Sequence, residues 1–148
     1  MTKEVMISVR GLQFETEHDA EEIEVIQKGE YYKKNETHYI IYEELMEGFD
    51  ESTKNIIKFK DHEMNITKKG LMNVHMNFEE QKKHLTNYNT PFGNIVVGLE
   101  AKKVKIEEAD KRIVLDVEYA LDINYEYLAD CKIKVDIRST DGEAFLLQ

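Results

Sequence analysis

The sequence predicts an all-β protein, an up-and-down (meander) antiparallel β-barrel of about ten strands. Three observations predict it. Apolar residues recur at every second position: Ile113, Leu115, Val117, Tyr119 and Leu121 against Asp116 and Glu118, then Cys131, Ile133, Val135 and Ile137 against Lys132, Lys134, Asp136 and Arg138. Side chains two apart share one face of a strand, so each segment has one dry and one wet side, as antiparallel strands over a core do. Turn residues interrupt this alternation at short intervals, and strands joined by tight links pair with their sequence neighbours. No capped helical period competes: Glu43 to Lys54 holds helix formers, but Gly48 breaks the run.

The elements follow in order. Val5, Ile7 and Val9 make the first strand, and at Gly11 the phase slips to Leu12 and Phe14, which predicts a bulge. Ile23 and Val25 open a second strand that runs toward Tyr31 and Tyr32, and Tyr39 to Tyr42 is apolar or aromatic on both faces. Ile57 and Phe59 make another strand, with Met64 and Ile66 beyond the Asp61-His62-Glu63 turn. Met72, Val74, Met76 and Phe78 alternate with Asn73, His75 and Asn77. Ile95, Val97 and Leu99 start a long strand that continues to Val104 and Ile106, and the two segments named first complete the barrel. Residues 1–140 form the single domain. Residues 141–148 form a tail, apolar enough at Ala144 to Leu147 to dock on a partner.

Composition bounds function. Thirty Asp and Glu against 20 Lys and Arg leave a net charge of −10, which argues against a sequence-blind nucleic-acid binder. Apolar residues at 41% suffice for one core. A single cysteine, Cys131, excludes an internal disulfide and a four-cysteine zinc site, and its place on an apolar face predicts a buried, inert thiol. The opening residues alternate instead of forming an apolar block, and no apolar run approaches the ~20 residues that span a bilayer. The expected setting is the reduced cytoplasm, away from membranes.

Catalytic and metal signatures are missing. His18, His38, His62, His75 and His84 form no His-x-His or His-x-x-x-His pair. Asp61-His62-Glu63 reads as an exposed hairpin tip, and the acidic stretch from Glu15 to Glu22 as a solvated turn. Ser8, Ser52 and Ser139 have no nucleophile-elbow glycines, and no phosphate loop or dinucleotide fingerprint is present. The expectation is a protein that is not an enzyme and uses no cofactor or metal.

The stretch Thr86-Asn87-Tyr88-Asn89-Thr90-Pro91-Phe92-Gly93-Asn94-Ile95 resembles the YwiB-like family, small bacterial proteins with a calycin-like (lipocalin-like) β-barrel. The family's Thr-x-Tyr-x-Thr-Pro-aromatic-Gly pattern falls between two strands. Before it, Gly70 and Met76-Asn77-Phe78 match a glycine followed by a strand ending Met-x-Phe. Gly29-Glu30-Tyr31-Tyr32, Tyr39 to Glu44 and Leu115-Asp116-Val117-Glu118-Tyr119 match three further patches, so that the resemblance covers residues 3–138. Where the family has an arginine ahead of the glycine, this chain has Lys68 and Lys69, which cannot make a two-pronged carboxylate contact. Ala101 stands where the family tends to have threonine. The resemblance implies a barrel and no activity.

Two stretches are candidate sites. Thr86, Tyr88, Thr90, Pro91, Phe92 and Gly93 read either as a hairpin corner, with Pro91 fixing φ and Gly93 free to turn, or as a ligand-gripping rim at the barrel mouth. Met72, Met76, Phe78 and Tyr119 share the core phase of two long strands and are candidates to line a lumen, with the Tyr119 phenol as a polar handle. Two functions of different class follow. One is a barrel that holds a small apolar or amphipathic molecule, neutral or cationic given the acidic surface. The other is a solid scaffold that presents an outer face, such as Tyr39 to Tyr42, or its tail to a protein partner.

Overall fold

A computed structural model describes residues 2–11, 24–45, 52–70, 73–90 and 93–140. Their alternating segments form ten strands: β1 (Glu4–Arg10), β2 (Glu24–Lys34), β3 (Thr37–Leu45), β4 (Ser52–Lys60), β5 (Glu63–Lys69), β6 (Val74–Glu79), β7 (Lys83–Thr90), β8 (Gly93–Ala109), β9 (Arg112–Ile123) and β10 (Glu126–Ser139). All ten join one antiparallel sheet in the order β6-β5-β4-β3-β2-β1-β10-β9-β8-β7. The expected meander is therefore present, and pairing of β1 with β10 curls it into a nearly closed barrel. The predicted slip at Leu12 and Phe14, the helix formers after Leu45 and the tail 141–148 lie outside the described residues.

The dry faces point inward as the alternation requires. Ile113, Leu115, Val117, Ile133, Val135 and Ile137 are all buried. The two-faced segment resolves by phase: Ile40 and Tyr42 are buried, while Tyr39 lies outside, stacked on Tyr32 at 4.7 Å between ring centroids. Cys131 keeps its inward phase but is only half-buried, not the fully buried thiol expected; it lies in the part of β10 before Lys134, past the end of the ladder with β1.

Two hairpins turn on two residues with positive φ, Asn35 and Glu36 at 50° and 67°, and Asn124 and Tyr125 at 50° and 69°. That is the primed-turn geometry whose twist matches the flanking strands. The Asn124 side-chain oxygen accepts the Val96 amide at 3.0 Å and so ties its turn to β8.

The sheet does not close along its full edge. β6 and β7 are neighbours in sequence but share no ladder, only a bridge between Glu79 and Lys82 at their common turn. A bulge in β8, between Ala101 and Lys103, completes the closure at that end. Its irregular backbone leaves the Ala101 carbonyl to accept the Gln81 amide at 2.9 Å, and the Val104 amide to donate to Glu80 Oε2 at 2.8 Å. The same bulge shifts the inward phase of β8 from Val97, Leu99 and Ala101 to Val104 and Ile106.

Gly29 faces inward where strands crowd. A Cβ there would lie 2.5 Å from Ile7 Cδ1 and 2.7 Å from the Ile41 carbonyl oxygen.

Three stability outcomes follow. Leu115→Asp places an unpaired carboxylate at the barrel centre, a cost of several kcal/mol against a total stability of about 5–15, and abolishes cooperative thermal unfolding. Glu118→Ala, on the wet face of the same strand, shifts urea-unfolding stability by less than about 0.5 kcal/mol. Gly29→Ala destabilises by about 1–3 kcal/mol in the same assay, because the Ile41 backbone cannot yield as a side chain can.

Candidate functional site: the two polar ends of the barrel interior

Antiparallel partners point to the same face, so the ladder registers define inward rows across the sheet. On the wall from β3 to β6 the central row is Ile40, Ile57, Ile66 and Met76. The row nearer the tight turns is His38, Phe59, Met64 and Phe78, and the row nearer the long loops is Tyr42, Asn55, Lys68 and Val74. The aliphatic centre is thus flanked by a histidine at one end and by an amide and an ammonium at the other.

The predicted lumen residues come together but leave little between them. Met76, Phe78 and Tyr119 are all buried, and the Phe78 ring meets Tyr119 edge-on at 4.8 Å. Burial raises the Tyr119 phenol well above its ordinary pKa, and the neighbouring Cys131 thiol gives its hydroxyl a hydrogen-bond partner. The Cys131 thiol is itself pushed up by burial, the unreactive direction. Met72 lies outside the described residues.

The rim stretch is divided by the structure. Thr86, Tyr88 and Thr90 belong to β7 and Gly93 opens β8 at a φ of 113°, a left-handed conformation that suits glycine. Pro91 and Phe92 lie outside the described residues. Tyr88 is half-buried, and its hydroxyl donates to the His75 carbonyl at 3.2 Å across the seam that β6 and β7 leave unpaired. Thr86 and Tyr88 pair with Val97 and Ile95, and so face the interior at the loop end.

At the turn end, His38 is buried and stacked on Phe59 at 4.7 Å, and its Nδ1 lies 2.7 Å from the Tyr31 hydroxyl. With Tyr31 donating to Nδ1, the imidazole is neutral and its Nε2–H faces Glu108 Oε1 at 3.6 Å. Glu108 also lies 3.6 Å from Lys33 Nζ. Burial lowers the His38 pKa below its ordinary value despite the pull of Glu108, with Lys33 adding to the lowering. An open cleft of about 420 Å³ lies over this group, lined also by Asn35, Lys60 and Asp61. A second cleft, of about 300 Å³, runs outside the barrel between Arg10, Lys103, Lys105, Lys132 and Lys134, with Asp116 and Glu118 interleaved. Among the described residues no three His, Cys, Asp or Glu side chains converge to hold a metal ion.

At the loop end, Lys68 Nζ lies 3.6 Å from Glu44 Oε1, and both side chains are largely shielded from solvent. Burial and the Glu44 charge raise the Tyr42 phenol far above its usual pKa. Asn55 is fully buried, and its Nδ2 donates to the Thr53 carbonyl at 3.3 Å. Its Oδ1 has no hydrogen-bond partner among the described residues.

Sequence reasoning missed His38, Asn55 and Lys68 as interior groups, and the exposed Glu108 as the carboxylate that faces His38. A signal existed for three of them: His38 is in phase with Ile40, Asn55 with Ile57, and Lys68 with Met64 and Ile66, polar side chains on dry faces. Glu108 is in phase with Val104 and Ile106, but nothing in its own strand says that His38 of β3 lies opposite it.

A ten-stranded antiparallel meander, nearly closed into a barrel with an aliphatic centre and polar ends, defines the class. Residues 7–135 match the family described as a domain of unknown function, DUF1934. The chain belongs to that family. The crystal structure of the YwiB protein from Bacillus subtilis is similar, with a TM-score of 0.71 and 17% identity, over 93% of this chain and 92% of that one. At that identity the likeness shows the fold alone. No curated protein matches the chain.

The His38 group sets a pH dependence. Its folded pKa is depressed, so the unfolded chain takes up a proton that the folded chain resists as pH falls below about 6.5. The stability it contributes is complete above that pH and lost as pH falls through the folded value. Urea unfolding between pH 8 and 5 shows this loss, and His38→Phe, which retains the stack on Phe59, shows a smaller pH dependence over the same range.

Proposed function

We propose that the protein is a non-enzymatic, cytoplasmic binding barrel that takes one small, largely apolar or amphipathic molecule at the loop end of its interior. One observation carries this reading. Val74, Tyr88, Ile95 and Ile123 pack against the core at that end yet remain partly exposed. Apolar side chains that face inward without being fully covered make a mouth, and the buried Met76, Phe78 and Tyr119 make the floor beneath it. The unladdered edge between β6 and β7 gives this mouth a side that can yield, because no row of backbone hydrogen bonds must break. The net charge of −10 disfavours anions approaching from solution, so a neutral or cationic molecule fits better.

A second reading, a scaffold for a protein partner, has its own observation: Leu85, Tyr125, Tyr127 and Leu128 are exposed. Leu85 and Tyr127 belong to one outward row with Gly98 and Asp122, where Lys83 is ion-paired to the nearly buried Asp122.

Titration with the neutral fluorophore Nile red, together with native mass spectrometry of the protein as isolated, tests the binding reading. The expected result is saturable, one-to-one binding that weakens at least tenfold in Ile123→Glu, with an unchanged far-ultraviolet spectrum. Absence of both probe binding and any co-purified molecule sinks the binding barrel and leaves the scaffold.

A further inference from the structure

The loop-end row also says which chemical group the barrel recognises, if the binding reading above holds. A buried amide oxygen with no donor is a standing cost, since water once satisfied it and the fold has replaced that water with nothing described. Turning the Asn55 amide over does not relieve it, because Oδ1 would then meet the Thr53 carbonyl, acceptor against acceptor. An apolar residue of similar shape would serve the core better, as Ile57 does two positions along the same strand.

The neighbours narrow the ligand further. Asn55 lies in register between Tyr42 and Lys68 on the inward face, with Val74 next in the row at the mouth. Lys68 and Glu44, paired at 3.6 Å, compensate one another and leave no net charge for an ionic ligand to match. An ammonium ligand would face Lys68, and a carboxylate would face Glu44. We infer that Asn55 Oδ1 is a recognition acceptor for a ligand with a neutral N–H or O–H donor head, such as an amide or alcohol, whose apolar body occupies the mouth formed by Val74, Tyr88, Ile95 and Ile123.

Decanamide and N,N-dimethyldecanamide share a chain and a carbonyl and differ in the N–H donors. Their affinities are measured by displacement of Nile red from the full-length protein and from Asn55→Leu. On the wild type, decanamide binds about ten- to a hundredfold tighter, the worth of a donor to a buried acceptor that is otherwise unpaired. In Asn55→Leu the ratio falls to near one and the thermal midpoint rises. Equal affinities on the wild type overturn the inference and assign Oδ1 to a bound water. A decanamide preference that survives in Asn55→Leu overturns it too, placing the donor's partner elsewhere. The wild-type comparison stands even if the variant fails to fold. If neither compound nor Nile red binds the wild type, the binding barrel itself fails, an outcome distinct from loss of head-group preference alone.

Discussion

The barrel depends on the pairing of its first strand with its last. Every other ladder joins neighbours in sequence, and since β6 and β7 share none, those ladders alone leave two separate twisted ribbons, β1 to β6 and β7 to β10, with four open edges. The β1–β10 ladder, from Val5 opposite Ser139 to Arg10 opposite Lys134, joins the two halves of the chain into one sheet. Its contacts are the longest in sequence, so they bear the largest loop-closure entropy and need the most burial to offset it. That burial is present: Val5, Ile7 and Val9 meet Val135 and Ile137 with almost no exposure.

Closure through β1 and β10 puts the remaining gap between β6 and β7. Ordinarily a hairpin of consecutive strands is the easiest pair to form, yet here the strands diverge beyond their turn. The β8 bulge accounts for the turn end. Its displaced backbone takes the Gln81 amide and offers the Val104 amide to Glu80, so the turn docks on β8 rather than continuing a ladder. The Glu80 carboxylate is held below its ordinary pKa by that Val104 amide and by His62, 3.1 Å away. Farther along, His84 Nε2 lies 3.3 Å from Glu79 Oε1, and the Tyr88 hydroxyl spans the seam to the His75 carbonyl. The gap thus lies at the end of the row that carries Asn55 and Lys68, and it is there that the proposed binding site would have its entrance.

The two interior ends solve the same problem differently. Inward strand positions near a barrel end are too wet for a purely aliphatic row and too enclosed for free hydration. At the turn end the polar groups satisfy one another: Tyr31 bonds His38, which faces Glu108. At the loop end the accounts do not balance, because Lys68 and Glu44 pair while Asn55 Oδ1 goes without. A self-satisfied polar cluster needs nothing further, whereas the orphaned acceptor is the group that the proposed ligand would satisfy.

Alternation by two determined most of this structure before any coordinates. The rows of Ile113 to Leu121 and Cys131 to Ile137 left no other economical arrangement, because only a curled antiparallel sheet buries one face of so many short strands at once. The same alternation already carried His38, Asn55 and Lys68 on dry faces, but a lone polar residue in phase with a core says nothing about what lies opposite it. Tertiary structure decided that. It placed Glu108 across the barrel from His38 by way of a bulge that no residue type announces, and it left β6 and β7 apart although their sequence suits a hairpin. It also packed Phe78 against Tyr119 where residue size alone suggested space. Local pattern sets which face of each strand is dry. Only the closure of the sheet, a property of the whole chain, decides which dry faces meet, and therefore whether a polar group inside finds a partner or lacks one.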